Sequence, residues 1–569
     1  MFKFRYLAAT AILGVALWGA GAARAVIPEQ TPQQQFSALR DQYVAQIAPL
    51  EKDAKEAWWI SATVGSDESY ARREQADKAM ARLHQDKSVF QTLKKLRESG
   101  AITDPVEARQ LDLMYFAYLP YQADSSITAE IISKEAEVDK IFNTHRSQVN
   151  GKSLTENDVR KVIAESNNGD EAKQAWLGYM EVGRKVAPPL KELIKLRNKM
   201  ARQLGYRDYF AMQLDIQEFQ EGELFQIFDE LDKLTIKPFT ELKNEIDTYQ
   251  RKRFDLKDNE PIRPWHLGDL FFQEAPELKE PGINLDDIYK GKDPVKLASE
   301  YYESLNMNPQ AIIDRSDLYE RPGKSPHAFE ECMDRQQDIR VLCNVKPNGA
   351  WMDTMLHELG HGVYDQGIDP NLPFLLRTPA HILTTEGFAM LMGEMTRTTD
   401  FLNKVAGVKG EKLNKYGKAS WRLLRSERLI FSRWTQTVLH FEKEMYANPE
   451  QDLNKLWWDL KKKYQLQAPP LDMSGQDYGA KMHIVGAPVY YHNYMLGDLF
   501  GTQVYEYVTT QVLGLDNPLE TSMYGQLKAG QYIQNEIFRR GNRYSWQDLC
   551  KLATGEPLSP KAFARLYLK

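Results

Sequence analysis

The sequence predicts a mainly α-helical protein, because long amphipathic segments dominate it and strand patterns are rare. Five long, charged segments carry apolar residues at i, i+3 and i+4 spacing, which is typical of helices with one buried face. They span 36–59, 170–186, 190–204, 224–254 and 420–446. An apolar fraction of 42%, with 11% aromatic residues, supplies a large core against which these faces can pack.

The first 25 residues predict a signal peptide, which leaves residues 26–569 as one mature domain. Lys3 and Arg5 precede the apolar run LAATAILGVALWGAG, and Ala23 and Ala25 occupy the small-residue positions before a cleavage site. The run is shorter than the roughly 20 residues of a membrane-spanning helix, which disfavours an anchor. We therefore expect an exported protein, periplasmic or secreted, with no membrane contact after cleavage.

The charge of the mature chain argues against nucleic acid as a partner. The leader holds three basic and no acidic residues, so its removal changes the formal charge from −6 to −9. Domains that bind nucleic acid carry an excess of basic residues instead. The oligomeric state does not follow from the sequence.

The best strand pattern lies at 327–345, HAFEECMDRQQDIRVLCNV, and predicts one small β hairpin. Cys332 and Cys343 flank its turn at a spacing that a short hairpin could close. Because disulfides are typical of exported proteins, we expect these two residues to form one, with Cys550 left free. Thiolate ligands for zinc are disfavoured, since the chain has no CxxC pair.

His357, Glu358 and His361 form the motif HELGH within 351–365, a segment of good helix formers without proline. On a helix, two histidines four residues apart share one face, so both can bind one zinc ion while Glu358 reaches the same cleft. The pentapeptide alone is equally compatible with a structural histidine pair. A third ligand is needed to separate these interpretations.

The third ligand is expected on a following helix. The longer motif HExxHxxGxxH is excluded, because Tyr364 and Gly367 stand where its glycine and third histidine belong. The segment LTTEGFAMLMGEM instead offers Glu386, 25 residues beyond the second histidine, where a carboxylate among apolar residues needs a cation. Glu394 is the competing candidate, and His381 is expected to orient the loop rather than bind metal.

Four separated elements together resemble the angiotensin-converting-enzyme family of zinc peptidyl-dipeptidases. HELGH is followed by the glutamate, and KMHIVGAPVYYHNY matches the family's Lys-x-His-Ile element and Tyr-x-x-Tyr pair. A histidine 30 residues before the first zinc ligand and a Gly-x-x-x-x-Gln element complete the set. The residues that match are His327, Gly268, Gln273, Lys481, His483, Ile484, Tyr491 and Tyr494.

The resemblance implies a fold and a cofactor. The expected fold is a helical ellipsoid of two subdomains around a deep central channel, with a small β hairpin near the zinc site. Such a channel admits only short peptides. One zinc ion per chain, Zn²⁺, would be bound by His357, His361 and Glu386.

The resemblance also implies catalytic roles. Glu358 would take the proton of the attacking water and later deliver it to the leaving amine. Tyr494, helped by His483, would donate to the oxyanion. The plain alternative is that Tyr494 is a tyrosine of the core or channel wall.

Substrate binding is implied in the same way. Gln273, Lys481 and Tyr491 would bind the terminal carboxylate of the peptide at a set distance from zinc. Related carboxypeptidases have an arginine at the Gln273 position, so glutamine favours release of dipeptides. His327 and His483 would hold the peptide backbone, with Ala328 offering main-chain groups as an edge strand does. The plain alternatives are that Lys481 is a surface lysine and Gln273 an ordinary loop residue.

The spacing of the downstream element leaves two alternatives open. His483 and the second tyrosine are eleven residues apart, one more than in mammalian members, so an ungapped match puts Asn493 rather than Tyr494 at the catalytic position. We prefer a gapped match, which keeps the tyrosine pair on one helical face and Tyr494 at the catalytic position. Tyr490 then competes with Tyr491 for the carboxylate.

Two further departures concern bound ions. The arginine between the tyrosines, a chloride ligand in well-known members, is replaced by Asn493 or His492, which argues against chloride activation. The aspartate that often supports the metal site four residues after the glutamate is replaced by Met390. Another group must then support the metal ligands.

Other functions remain to be weighed. A zinc oligopeptidase or carboxypeptidase would share the metal site and differ in cleavage position. A non-catalytic peptide-binding protein on the same fold is disfavoured, because Glu358 and all three ligands are present.

Overall fold

The computed structural model describes residues 31–276 and 284–568, so the predicted leader lies outside the described residues. The N-terminal half of the described chain forms helices α1 Pro32–Val64, α2 Asp67–His84, α3 Lys87–Ser99, α4 Pro105–Tyr118, α5 Ser125–Thr144, α6 Glu156–Glu165, α7 Gly169–Gln203, α8 Tyr209–Ile216 and α9 Glu221–Arg253.

The second half is also helical. It forms α10 Pro294–Glu303, α11 Gln310–Ile313, α12 Gly349–Gly367, α13 Ile382–Met395, α14 Thr399–Lys404, α15 Gly410–Ala447, α16 Leu453–Gln465, α17 Met482–Gly486, α18 His492–Tyr507, α19 Leu527–Glu536, α20 Trp546–Thr554 and α21 Lys561–Tyr567. The mainly helical prediction is confirmed. The two segments predicted at 170–186 and 190–204 form one helix, because α7 continues through Pro188 and Pro189.

Two antiparallel hairpins are the sheet structure of the described residues. The predicted hairpin consists of β3 Phe329–Cys332 and β4 Ile339–Leu342, and it packs on α12. The other, β1 Ser147–Val149 with β2 Lys152–Leu154, was not expected from the sequence. Its three-residue strands are too short to give a recognisable alternating pattern.

The predicted Cys332–Cys343 disulfide is wrong, and all three cysteines are buried free thiols. The register of the hairpin explains this, because Cys332 pairs with Ile339 near the turn, whereas Leu342 pairs with Phe329 at the open end. Cys343 follows Leu342, so the two cysteines lie about four strand residues apart along the ladder, or roughly 13 Å. A disulfide requires Cα atoms within about 7 Å.

The largest core lies among α7, α12, α13, α15 and α18, and a smaller one lies among α1, α3 and α4. No helix of the described ranges has both the length and the apolar character needed to cross a bilayer.

Glycines bring α13 and α18 into close contact inside the main core. A Cβ atom added at Gly387 would lie 2.4 Å from the carbonyl oxygen of Gly497, and one added at Gly501 would lie 2.2 Å from that of Gly387. Larger residues could not occupy these positions without moving a backbone. This close approach sets the helix that carries Glu386 directly against the helix that carries Tyr494.

Candidate metal centre and carboxylate pocket

The two histidines of HELGH lie on one face of α12. The helix begins after Asn348, whose side chain accepts a hydrogen bond from the Trp351 N–H at 2.9 Å and so caps the N-terminus. His357 and His361 are one turn apart, and their Nε2 atoms lie 3.2 Å from each other. The predicted helical placement of the motif is therefore confirmed.

Glu386 completes a three-residue group. Its Oε2 atom lies 3.7 Å from Nε2 of His357 and 3.9 Å from Nε2 of His361. Ligands about 2.0–2.1 Å from a tetrahedral zinc ion are roughly 3.3 Å apart, so the three atoms need to move only slightly to bind one. Two imidazoles and one carboxylate are also a donor set that zinc prefers. No other such group occurs in the described ranges.

Thr385 orients one of the ligands. Its hydroxyl oxygen lies 2.7 Å from Nδ1 of His361, and its side chain is buried in the first part of α13. When Nδ1 donates its proton to this hydroxyl, Nε2 is left with a free lone pair that faces the other ligands. The sequence showed that Met390 stands where the family often has a supporting aspartate. It did not indicate that Thr385 supports His361, although Thr385 directly precedes the glutamate.

Glu358 is buried beside the three ligands. Burial raises the pKa of its carboxyl group, the imidazole of His357 lowers it and the carboxylate of Glu386 raises it, with a net pKa of about 7. A carboxyl group with this pKa can both accept and release a proton near neutral pH.

The competing ligand Glu394 lies elsewhere. It lies about two turns beyond Glu386 on α13. There it forms an ion pair with Arg428 and accepts a hydrogen bond from the hydroxyl of Tyr567. His381 caps α13, because its Nδ1 accepts a hydrogen bond from the Leu383 N–H at 3.1 Å. Its Nε2 lies 3.0 Å from the carbonyl oxygen of Gln217. Its position agrees with an orienting role.

Gln273, Lys481 and Tyr491 meet although they are distant in the chain. Oε1 of Gln273 accepts hydrogen bonds from Nζ of Lys481 at 2.6 Å and from the hydroxyl of Tyr491 at 3.4 Å. Lys481 is only 5% exposed, so it is not a surface lysine. Burial lowers its pKa to about 8, an effect that the carboxylate of Asp269 partly offsets. We call these three residues, which the sequence predicts to bind the substrate carboxylate, the carboxylate pocket.

The structure also separates Tyr494 from Asn493. Asn493 is fully buried, and its amide donates to Oε1 of Gln217 at 2.7 Å. Tyr494 instead faces His483, with ring centroids 6.4 Å apart, and Tyr491, at 5.3 Å. These positions favour the gapped alignment, because the ring of Tyr494, unlike the amide of Asn493, lies next to His483 and Tyr491.

Tyr490 and Tyr491 take different positions. Tyr491 belongs to the carboxylate pocket, whereas Tyr490 packs on Tyr494 with ring centroids 5.5 Å apart. Burial and the carboxylate of Glu386 raise the pKa values of both Tyr490 and Tyr494, that of Tyr494 to about 12. Tyr490 thus lies on the side of the metal ligands rather than with Gln273.

Two of the residues predicted to hold the peptide backbone, His327 and Ala328, are not hydrogen-bonded to the metal group or to the carboxylate pocket in the described ranges. Ala328 directly precedes β3 and is partly buried. His327 is exposed, and its N–H group donates to the hydroxyl of Ser325 at 3.3 Å. Within the described ranges, its ring makes no hydrogen bond to the metal group or to the carboxylate pocket.

Comparison with known proteins agrees with this geometry. The sequence profile of the family described as "Angiotensin-converting enzyme" matches residues 30–567. The angiotensin-converting enzyme of Bos taurus is 25% identical over 447 residues, which cover 73% of this chain and 33% of the relative. That of Theromyzon tessulatum is 22% identical over 562 residues, which cover 90% of this chain and 88% of the relative. The chain thus spans about a third of the length of the cattle relative, and it belongs to the angiotensin-converting-enzyme family.

Proposed function

We propose that this protein is a zinc-dependent peptidyl-dipeptidase that removes dipeptides from the C-termini of short peptides. The observation that carries the proposal is the joint presence of a complete ligand group, His357, His361 and Glu386, and a separate pocket suited to a carboxylate. A binding protein without activity would not need the buried base Glu358 beside the ligands.

The residues around the metal group have the protonation states that hydrolysis needs. A zinc ion held by the three ligands would supply a Lewis acid for the scissile carbonyl and lower the pKa of water. Glu358 accepts a proton from the attacking water and then donates it to the leaving amine. Its pKa of about 7 suits both steps.

Tyr494 and His483 are positioned to stabilise the oxyanion. Tyr494 keeps its phenolic proton at neutral pH, because its pKa is raised to about 12. Burial lowers the pKa of His483 to about 3, and the nearby ammonium group of Lys481 adds to this effect. His483 is therefore neutral and donates through one N–H group, so both residues act as uncharged donors.

The carboxylate pocket sets the position of cleavage. An anionic chain end can take the place of Oε1 of Gln273 as the acceptor for Lys481 and Tyr491, while the Gln273 amide donates. Glutamine at this position leaves room for two residues beyond the scissile bond, in line with the family resemblance. The main chain of Ala328 and the ring of His327 would hold the peptide backbone.

The wider architecture is part of the proposal. We infer a central channel between two subdomains, which would restrict entry to short peptides, within one domain spanning 26–569. The leader pattern at residues 1–25 supports export to the periplasm or the medium.

The test is the identification of products by mass spectrometry. A short peptide with a blocked N-terminus should lose successive C-terminal dipeptides, a chelator should abolish this, and zinc should restore it. The matched peptide with a C-terminal amide should be cleaved much more slowly. Release of single residues or internal cleavage would contradict the assignment of the pocket, and no cleavage of varied peptides would contradict the proposed function.

A further inference from the structure

Gln273 ends a turn, residues 268–273, whose backbone amides are bound by a buried carboxylate. Oδ2 of Asp269 accepts from the N–H groups of Phe271 at 2.9 Å and Gln273 at 3.0 Å. Its other oxygen accepts from Arg160 of α6 at 3.1 Å. We call this segment the Gln273 turn. Two amides of the turn are thus satisfied by one side chain rather than by secondary structure.

The carbonyl groups of the Gln273 turn are bound in the same way. Three successive carbonyl oxygens, those of residues 270, 271 and 272, accept hydrogen bonds from the side chains of packed helices, and that of Phe271 accepts a second one from the Gln465 amide at 3.5 Å. The donors are Trp176 of α7 at 3.0 Å, Lys461 of α16 at 2.8 Å and Gln465 of α16 at 2.6 Å. The backbone conformation of the turn is therefore fixed by hydrogen bonds from side chains of α7 and α16.

The turn needs this support because its backbone is strained at Phe272. This residue has a φ of +53°, in the left-handed region that residues with a Cβ atom seldom occupy. Such a conformation is unfavourable and persists only where the surroundings hold it. Phe272 directly precedes Gln273, so a relaxed turn would carry the Gln273 amide away from Lys481.

Lys461 differs from the other two donors because it is an ionisable amine, whose pKa burial lowers to about 7. It is 2% exposed, and its Nζ also donates to Oε1 of Gln465 at 2.9 Å. The side chains of Trp176 and Gln465 show that a neutral donor suffices for a carbonyl of this turn. A buried ammonium group is costly, so its retention calls for a further reason.

The charge lies next to the carboxylate pocket. The ammonium groups of Lys461 and Lys481 lie 4.9 Å and 5.3 Å from the centre of the same ring, that of Trp434. Burial lowers the pKa values of both lysines, and the carboxylate of Asp269 partly offsets this effect. The carboxylates of Asp269 and Asp477 act on Lys461, whereas Asp269, Glu274 and the guanidinium of Arg160 act on Lys481. In this mixed cluster, a protonated Lys461 adds one positive charge, which would attract an anionic chain end.

We infer that Lys461 is a positioning residue for recognition of the substrate carboxylate. It fixes the Gln273 turn through the carbonyl of Phe271, and it adds positive charge near Lys481, on the ring of Trp434 that both lysines contact. This inference rests on the proposed function, since it assigns a supporting residue to the same pocket. It applies to peptides with a free C-terminal carboxylate and not to amidated peptides.

The test compares binding of an N-blocked dipeptide as its free acid and as its amide, measured by calorimetry on the zinc-loaded protein. Binding requires no turnover, so the result does not depend on catalysis. Lys461→Met removes the donor and the charge while keeping an unbranched side chain, and Lys461→Arg restores both. Lys462→Met on the same helix is the matched control, because Lys462 is exposed.

We expect Lys461→Met to weaken binding of the acid by roughly tenfold or more and to leave binding of the amide nearly unchanged. Lys461→Arg should recover most of the loss, and Lys462→Met should behave as wild type. Thermal unfolding establishes that each variant is folded. In cleavage assays, the same change should raise KM for acids with little effect on kcat.

Two results would overturn the inference in distinguishable ways. If wild type prefers the acid and Lys461→Met keeps that preference, or loses affinity for acid and amide equally, only the role of Lys461 is refuted. If wild type itself binds acid and amide equally, the carboxylate pocket fails, and with it both the proposed cleavage position and this inference.

Discussion

The metal centre and the carboxylate pocket differ in how far apart in the chain their residues lie. His357, His361 and Glu386 fall within 30 positions, on two helices that follow each other. Lys481 and Tyr491, in contrast, are 208 and 218 positions from Gln273. The metal centre is thus set by helical spacing and one loop, whereas the pocket depends on packing between distant helices. Changes that relax tertiary packing should therefore impair carboxylate binding before they impair metal binding.

The largest effect is expected from Glu358→Gln, which removes the base and leaves the ligands in place. Turnover should fall by about 10²- to 10⁴-fold, while the protein still binds one zinc ion. Activity assays and metal analysis of the same preparation check this. Loss of zinc together with activity would mean that Glu358 supports the metal centre rather than the chemistry.

Variants of Tyr494 and Tyr491 test the metal centre and the carboxylate pocket separately. Tyr494→Phe should lower kcat on the order of 10²-fold by removing an oxyanion donor, with little change in KM. Tyr491→Phe should mainly raise KM for peptides with a free carboxylate, because its hydroxyl belongs to the pocket. Steady-state kinetics on matched acid and amide peptides measure both.

Tyr490→Phe serves as the control for these tyrosines, since Tyr490 packs on Tyr494 but lies outside the pocket. A Tyr490 variant that raises KM for acids as strongly as Tyr491→Phe would reverse the assignment of the pair.

Thr385→Val tests the support of the metal ligands. Removal of the hydroxyl partner of His361 should weaken zinc binding by about 10- to 100-fold and leave the acid-over-amide preference of the zinc-saturated protein intact. Competition with a chelator gives the affinity. Thr384→Val is the matched control, because Thr384 is buried beside it and bonds to the His381 carbonyl oxygen at 2.8 Å instead. Equal weakening by both variants would indicate a general loosening of α13.

The smallest effect concerns pH and the pocket. Lys481 has a pKa lowered to about 8, so it is charged below that pH and loses its charge above it. The ratio of kcat/KM for an acid peptide to that for its amide should fall up to about tenfold between pH 7 and 9, because kcat/KM reports the free enzyme. Lys481→Met should flatten this dependence. A ratio that stays constant or rises in wild type would contradict the role of Lys481.

The hairpin shows how a local pattern can mislead. Cys332 and Cys343 have a spacing that a hairpin can bridge, but the pairing of Cys332 with Ile339 places the cysteines at opposite ends of the ladder. A shift in register changes which residues face each other without changing the hydrophobic pattern that predicts the strands.

The sequence by itself determined the helical class, the placement of HELGH on a helix and Glu386 as the third residue of the group, because these depend on periodicity and short spacings. It left Tyr494 and Asn493 unresolved, and it missed Thr385 and Lys461. Only the tertiary structure decided these, through the close contact of α13 with α18 and the packing of α16 on the Gln273 turn. Such contacts join residues whose separation in the chain carries no periodic signal, so no single sequence can reveal them.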